Sequence, residues 1–360
     1  MTLRLLPVES TPADSPQPKP ARDPGLPPVE PPTAGFLLQL FLIPMVIVSI
    51  IVLVWFAFSW LAHQGVDPHD LARSLKSRND ASWQKAYNLS NMLRDSKNAE
   101  LKRDRELARE LIDVLEAELG VKLGEGDASQ DSSARDYQTD ARVRLREFLC
   151  RSLGEFELTD VAPTLVKALQ QEQSPLDLPV RRRAAEALAV LAGSVDLAQD
   201  GEVVEGLIEA SRDRSANPEE KLLRGELRSA AAFALGMVGS PAALDQLEIM
   251  LTDVYANARF NAATGLARQG DARCVDTLVA MLDPDNAEAV ADEESEEGQR
   301  FKRAELLGNG IKSVRKYLQA SPEADMTSLR AALQKLADAN LSRDVTMAAK
   351  ETVMLIQQRD

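Results

Sequence analysis

Apolar positions fall into two regimes along the chain. Between Phe36 and Ala62 they are nearly continuous, and beyond that they recur every three or four residues almost to the end. Eighteen residues of the continuous run are Leu, Ile, Val or Phe, and no Asp, Glu, Lys or Arg occurs from Pro31 to Val66. A bilayer core of roughly 30 Å needs about 20 apolar residues in helix, so residues 36–62 reach across with length to spare for tilt. Pro44 lies near the start of the run, where it disturbs few backbone hydrogen bonds. Trp55, Phe56, Phe58 and Trp60 crowd the other end, as an interfacial aromatic belt would.

A cleaved signal peptide has a short basic start and an apolar region of about 7–15 residues. Here the start is long and proline-rich and the run is longer, although Ala57-Phe58-Ser59 has the small-x-small look of a cleavage site. A buried core helix of this length would be expected to carry charge. The reading is a retained transmembrane helix over 36–62. Residues 16–35 carry Lys19 and Arg22 and residues 63–82 carry Arg73, Lys76 and Arg78. The extra positive charge predicts a cytoplasmic position for the domain C-terminal to the span.

Past the span, four segments align without gaps, beginning at Leu145, Val180, Leu227 and Ala258. Each opens on an apolar residue followed by Arg (Arg146, Arg181, Arg228, Arg259), with small or apolar residues at the fifth, sixth, eighth and ninth slots. The fifth, eighth and ninth slots share a helical face with the opener, and Ala or Gly there lets neighbouring helices approach closely. A second amphipathic helix precedes each segment, as in Ala242-Ala243 to Leu251 and Val275 to Leu282. Asn217-Pro218-Glu219-Glu220 reads as a helix start with a cap, proline at the first position and early acids. Openers 35, 47 and 31 residues apart mark a stack of helix pairs.

These segments resemble HEAT repeats, especially the short subtype shared with phycobilisome lyases, over about residues 67–360 and most strongly over 140–283. The whole layout resembles single-span HEAT proteins of planctomycete-type bacteria. The resemblance implies an all-α HEAT-like solenoid of about seven helix pairs, with pairs near 68–94, 99–119 and its successor, 159–193, 201–238, 241–269, 272–318 and 325–358. It also implies a structural ladder pairing an Asp with the Arg six residues later. Asp140 with Arg146 and Asp253 with Arg259 fit that spacing, whereas Pro175 and Leu222 occupy the slot before Arg181 and Arg228, so the ladder is expected to break there.

The domain plan is a proline-rich tail over 1–35, the span over 36–62 and the repeat domain over 63–360, with flexible loops at 120–136 and 283–298. The tail holds ten of the nineteen prolines and reads as an extended spacer, although Pro16-x-Pro18-x-Pro20 has the form of a groove-docking segment. Of the net charge of −14, all but −1 belongs beyond the tail, which argues against a nucleic-acid partner. Cys150 and Cys274 fall in separate repeats and suggest no disulfide framework. His63 and His69 have no metal-ligand spacing, and no phosphate loop or nucleophile motif is present, so no cofactor, metal or catalytic residue is expected. The acidic loop 283–298 reads as a solvated excursion.

Two aromatics stand out. Phe233 occupies the slot of Glu186 and Phe260 the slot of Arg182, so both are expected to face outward as an anchor for a partner, unless they pack under the neighbouring insertion. The sequence reading is a membrane-anchored, non-catalytic scaffold that binds a protein or peptide. The alternative that the family resemblance offers is a bilin lyase-like enzyme or regulatory subunit.

Overall fold

The computed structural model describes residues 33–62, 67–76, 81–123, 132–339 and 341–359. Most of the proline-rich tail, His63 and residues 124–131 of the first expected loop therefore lie outside the described residues. The chain divides into two compact units, Met1–Gly65 and Val66–Asp360.

The described part of the first unit is one helix, α1 (Ala34–Ala62). Its stretch Leu38–Phe58 is long and apolar enough to cross a membrane, and none of it is covered by protein. That 21-residue stretch spans about 32 Å at 1.5 Å per residue. Trp55 and Phe56 meet edge to face with ring centroids 5.3 Å apart.

The second unit is an all-α HEAT-like solenoid, with no strand among the described residues. Its helices form seven successive pairs: α2 (Pro68–Leu75) with α3 (Ser82–Arg94), α4 (Arg105–Leu119) with α5 (Ser132–Gly154), and α6 (Ala162–Gln170) with α7 (Leu178–Ala192). Next come α8 (Gly201–Ser211) with α9 (Lys221–Val238), α10 (Pro241–Met250) with α11 (Ala256–Arg268), α12 (Val275–Met281) with α13 (Glu296–Ala320), and α14 (Thr327–Asp338) with α15 (Arg343–Gln357). The second helices pack in sequence, α3 on α5, then α7, α9, α11, α13 and α15, forming one layer. The first helices form the other layer, and one continuous apolar core runs between them.

Helix starts obey local chemistry. Asn217 accepts from the Glu219 N–H at 3.1 Å, with Pro218 opening a short 3-10 turn that leads into α9. Ser240 caps α10 ahead of Pro241. The charged helix expected from about residue 99 instead starts at Arg105, because the Asp104 side chain accepts from the Glu106 and Leu107 N–H groups and sets the first turn there. Likewise α5 reaches back to Ser132, inside the expected loop 120–136. From Ser132 onward there is no proline or glycine to stop it until Gly154.

The small slots carry the closest contacts in the stack. A Cβ on Gly154 would lie 2.7 Å from the Ala187 Cα, and one on Gly236 would lie 2.4 Å from the Gly265 Cα. In both cases the tenth slot of one repeat meets the eighth slot of the next. We expect Gly236→Ala to force α9 and α11 apart at a cost of about 1–3 kcal/mol, read as a lowered denaturation midpoint. An unchanged midpoint would show that the backbones are not held in this contact.

Candidate functional site

Beneath the surface of the second-helix layer lies a series of buried charges that ties each repeat to its successor. Arg146 is fully buried; its Nη1 lies 3.3 Å from Asp177 Oδ1, and its Nη2 donates to the Glu118 carbonyl at 2.5 Å and to the Val121 carbonyl. Burial pushes its pKa down while the charges of Asp177 and Glu118 push back, and an Arg remains cationic under that balance. Arg181 Nη1 lies 2.7 Å from Asp213. Arg228 donates from Nε and Nη2 to the two oxygens of Asp253, both at 2.9 Å. At the next step the pair comes to the surface, where the partly buried Arg259 reaches the exposed Glu288 at 2.5 Å.

This geometry departs from the expected Asp–Arg spacing. Asp140 does not reach Arg146 but pairs with Arg144 at 2.8 Å on the surface. Six residues along the continuous α5 leave it about 240° around the helix from Arg146. Asp253 gives Arg259 only its backbone carbonyl, at 2.6 Å, while its carboxylate turns back to Arg228 and to Arg214 at 2.7 Å. The gaps expected at Arg181 and Arg228 are filled, because each acid comes from the turn ahead of the next second helix. The useful signal was an acid in that turn at any spacing, four residues before Arg181 at Asp177 and fifteen before Arg228 at Asp213.

Above these charges, the exposed face of the layer is neutralised over its middle. Arg182 meets Glu226 at 2.6 Å, and Arg183 meets Glu186. Trp83 stacks on Phe148 at 6.4 Å with Tyr87 edge-on at 5.2 Å, an aromatic cluster between α3 and α5 that the sequence reading missed.

The face opens between α11 and α13 into a cleft of about 530 Å³. Phe233 and Phe260 both line it, but not as two outward aromatics. Phe233 is half-buried against the core, whereas Phe260 is buried. The cause is the sixth pair: α13 packs on α11, and the Arg259 guanidinium, held by Glu288, stands 5.9 Å over the Phe260 ring. The acidic segment is likewise tied down rather than wholly solvated, with Ala289 and Val290 buried, Asp292 on Lys302 and Asp283 on Lys335 at 3.2 Å. Polar groups on the cleft wall include Asn261, Asn309 and Ser313, with Arg268 at one end and Lys312 and Lys316 across from it.

At the start of the domain, the two ring nitrogens of His69 lie 3.1 Å from Asp104 and 3.1 Å from Glu110, joining α2 to α4. Arg73 shares Glu110 at 3.0 Å. Burial lowers the His69 pKa, but the hydrogen bonds and charges of Glu110 and Asp104 outweigh it and leave it above its ordinary value.

A family model for HEAT repeats matches residues 220–295, which run from the start of α9 through the acidic segment and include both Phe233 and Phe260. With the paired-helix stack, this match supports a HEAT-repeat protein. No curated protein matches the chain.

The ion pairs make the fold pH-sensitive in two opposite senses. Burial raises the Asp253 pKa, but the Arg228 hydrogen bonds, the Tyr255 N–H and the charges of Arg228 and Arg214 prevail and hold it below its ordinary value. Its stabilisation is therefore full above the unfolded value of about 3.9 and is lost as pH falls through the lower folded value. Asp253→Asn should cost about 3–5 kcal/mol at neutral pH by leaving Arg228 buried and unmatched. Denaturant unfolding at pH 7 and below 4 checks both. For His69 the sign is opposite: its contribution is full below an unfolded pKa of about 6.5 and fades as pH rises through the folded value. Melting of the wild type against His69→Gln should therefore show the widest gap near pH 6 and convergence by pH 9.

Proposed function

We propose that this is a membrane-tethered, non-catalytic scaffold in which α1 anchors the chain and the second-helix face of the solenoid holds a protein partner. The observation that carries this reading is the α11–α13 cleft, where the half-buried Phe233 ring and a group of polar side chains interrupt an otherwise self-neutralised face. An aromatic side chain that becomes fully desolvated against a partner can anchor an interface. The positive flank after the span favours a cytoplasmic position for the repeats, and the acidic balance of the domain disfavours nucleic acid. Asp140 with Arg144, and Arg146, Asp253 and Arg259 in the ladder, take structural roles in this scheme. Phe233 is the partner-facing residue, and Phe260 supports it from below.

The test is site-specific photo-crosslinking in intact cells. A photoreactive residue in place of the exposed Asn309, in the cleft, is compared with one in place of the exposed Ile249, on the first-helix layer. A discrete protein adduct is expected from position 309 and not from 249. Phe233→Ala should weaken it by about tenfold or more, the effect of losing an interface hot spot. Equal adducts from both positions, or a small-molecule adduct alone, would overturn the scaffold reading and favour a repeat-type enzyme.

A further inference from the structure

Arg268 differs from the four arginines of the ladder. Nη1 of its guanidinium is shielded from solvent and has no hydrogen-bond partner, and no ion pair reaches the side chain among the described residues. Burial alone acts on its pKa, pushing it down, with no carboxylate near enough to oppose the shift. The guanidinium stands 5.8 Å over the Phe233 ring and lines the α11–α13 cleft. By contrast, Arg146, Arg181, Arg228 and Arg259 each have a carboxylate at 3.3 Å or less.

Its surroundings add positive charge. Lys312 and Lys316 lie one turn apart on α13 and line the same recess, exposed and without an ion pair among the described residues. Lys302 is engaged by Asp292 and Glu293, so it does not count. Glu305 is the one acidic lining residue and leaves the cleft net positive in a domain that is strongly negative. A half-buried guanidinium without an anion is costly. The ring face of Phe233 and the C-terminal end of α11 offset only part of that cost.

We propose that this cleft is an anion subsite that takes the carboxylate of an acidic peptide segment on the partner, gripped by Arg268 and flanked by Lys312 and Lys316. The proposal rests on the scaffold reading and adds the chemistry of the bound segment. A carboxylate accepts two parallel hydrogen bonds from a guanidinium. Two flanking lysines suit a pair of acidic side chains rather than a polyanion. Phe233, Met281 and Leu306 give apolar side chains of the same segment a floor.

The experiment uses the full chain in detergent micelles and fluorescence anisotropy of a labelled hexapeptide with two central glutamates flanked by leucines. Its glutamine and phosphoserine counterparts serve as comparison probes. Binding of the glutamate peptide that weakens with salt, falls tenfold or more in Arg268→Gln and falls a fewfold in Lys312→Ala/Lys316→Ala supports the subsite. The melting temperature of Arg268→Gln should stay level or rise, because no internal partner is orphaned. A melting point lowered by several degrees would make Arg268 structural and overturn the proposal. So would equal binding of the glutamine peptide, binding of the phosphoserine peptide alone, or no binding. A crosslink at position 309 that survives Arg268→Gln would sink the subsite and leave the scaffold standing, whereas peptide binding without any such crosslink would do the reverse.

Discussion

Each second helix from α5 to α11 carries a guanidinium that is paired with a carboxylate of the next repeat. Arg146, Arg181 and Arg228 are buried, and their carboxylates Asp177, Asp213 and Asp253 all stand one repeat further on. A cation removed from water without its anion is strongly penalised, so a helix pair taken alone is electrostatically open as well as apolar on its flank. That makes the stack rather than the pair the folding unit. Buried pairs of this kind roughly break even against apolar packing, yet they are expensive to leave half-made. The ladder therefore acts chiefly against wrong register. The contacts of Gly154 with Ala187 and Gly236 with Gly265 act alongside it by fixing how near successive helices stand.

Because the ladder satisfies its charges beneath the surface, the chemistry of the exposed face can be read separately. From α5 to α9 the face neutralises itself through Arg182, Glu226, Arg183 and Glu186. Beyond α9 the acidic segment takes Arg259 and Lys302. In the cleft, Arg268, Lys312 and Lys316 keep no ion pair among the described residues, a small positive group in a domain whose total charge is strongly negative. The two scales do not conflict. Screening confines the cleft's attraction to about 8 Å in physiological salt, while the net charge sets only what approaches from further away.

Helical periodicity, the small slots and the punctuating caps were enough to place seven pairs, because solenoid packing writes the same demand into every repeat. The ladder was harder to read. Its acids sit in turns of differing length, so a fixed Asp–Arg spacing selected Asp140, which lies on the wrong side of α5, and missed Asp177 and Asp213 altogether. For Phe260 the second of the two readings left open applies: an outward slot in one repeat is covered in another when the next pair carries an insertion that packs back, as Glu288 does through Arg259. Arg268 falls beyond the ten aligned slots, and nothing in the pattern distinguishes a paired arginine from an unpaired one.

One guanidinium and two exposed lysines do not make a tight site, and the tethered scaffold proposed above would not need one. If α1 lies in a bilayer as proposed, a partner confined to the same surface would meet the cleft as a tethered group, and tethering raises local concentrations to the order of millimolar. A contact that would be negligible between freely diffusing molecules is then substantially occupied. The same arithmetic makes occupancy sensitive to salt and to single charges on the segment, since little apolar burial backs the carboxylate contact. In the proposed subsite, leaving Arg268 without an internal acid would keep its hydrogen bonds available for that contact, so that stability forgone inside the fold would become selectivity for an anionic segment.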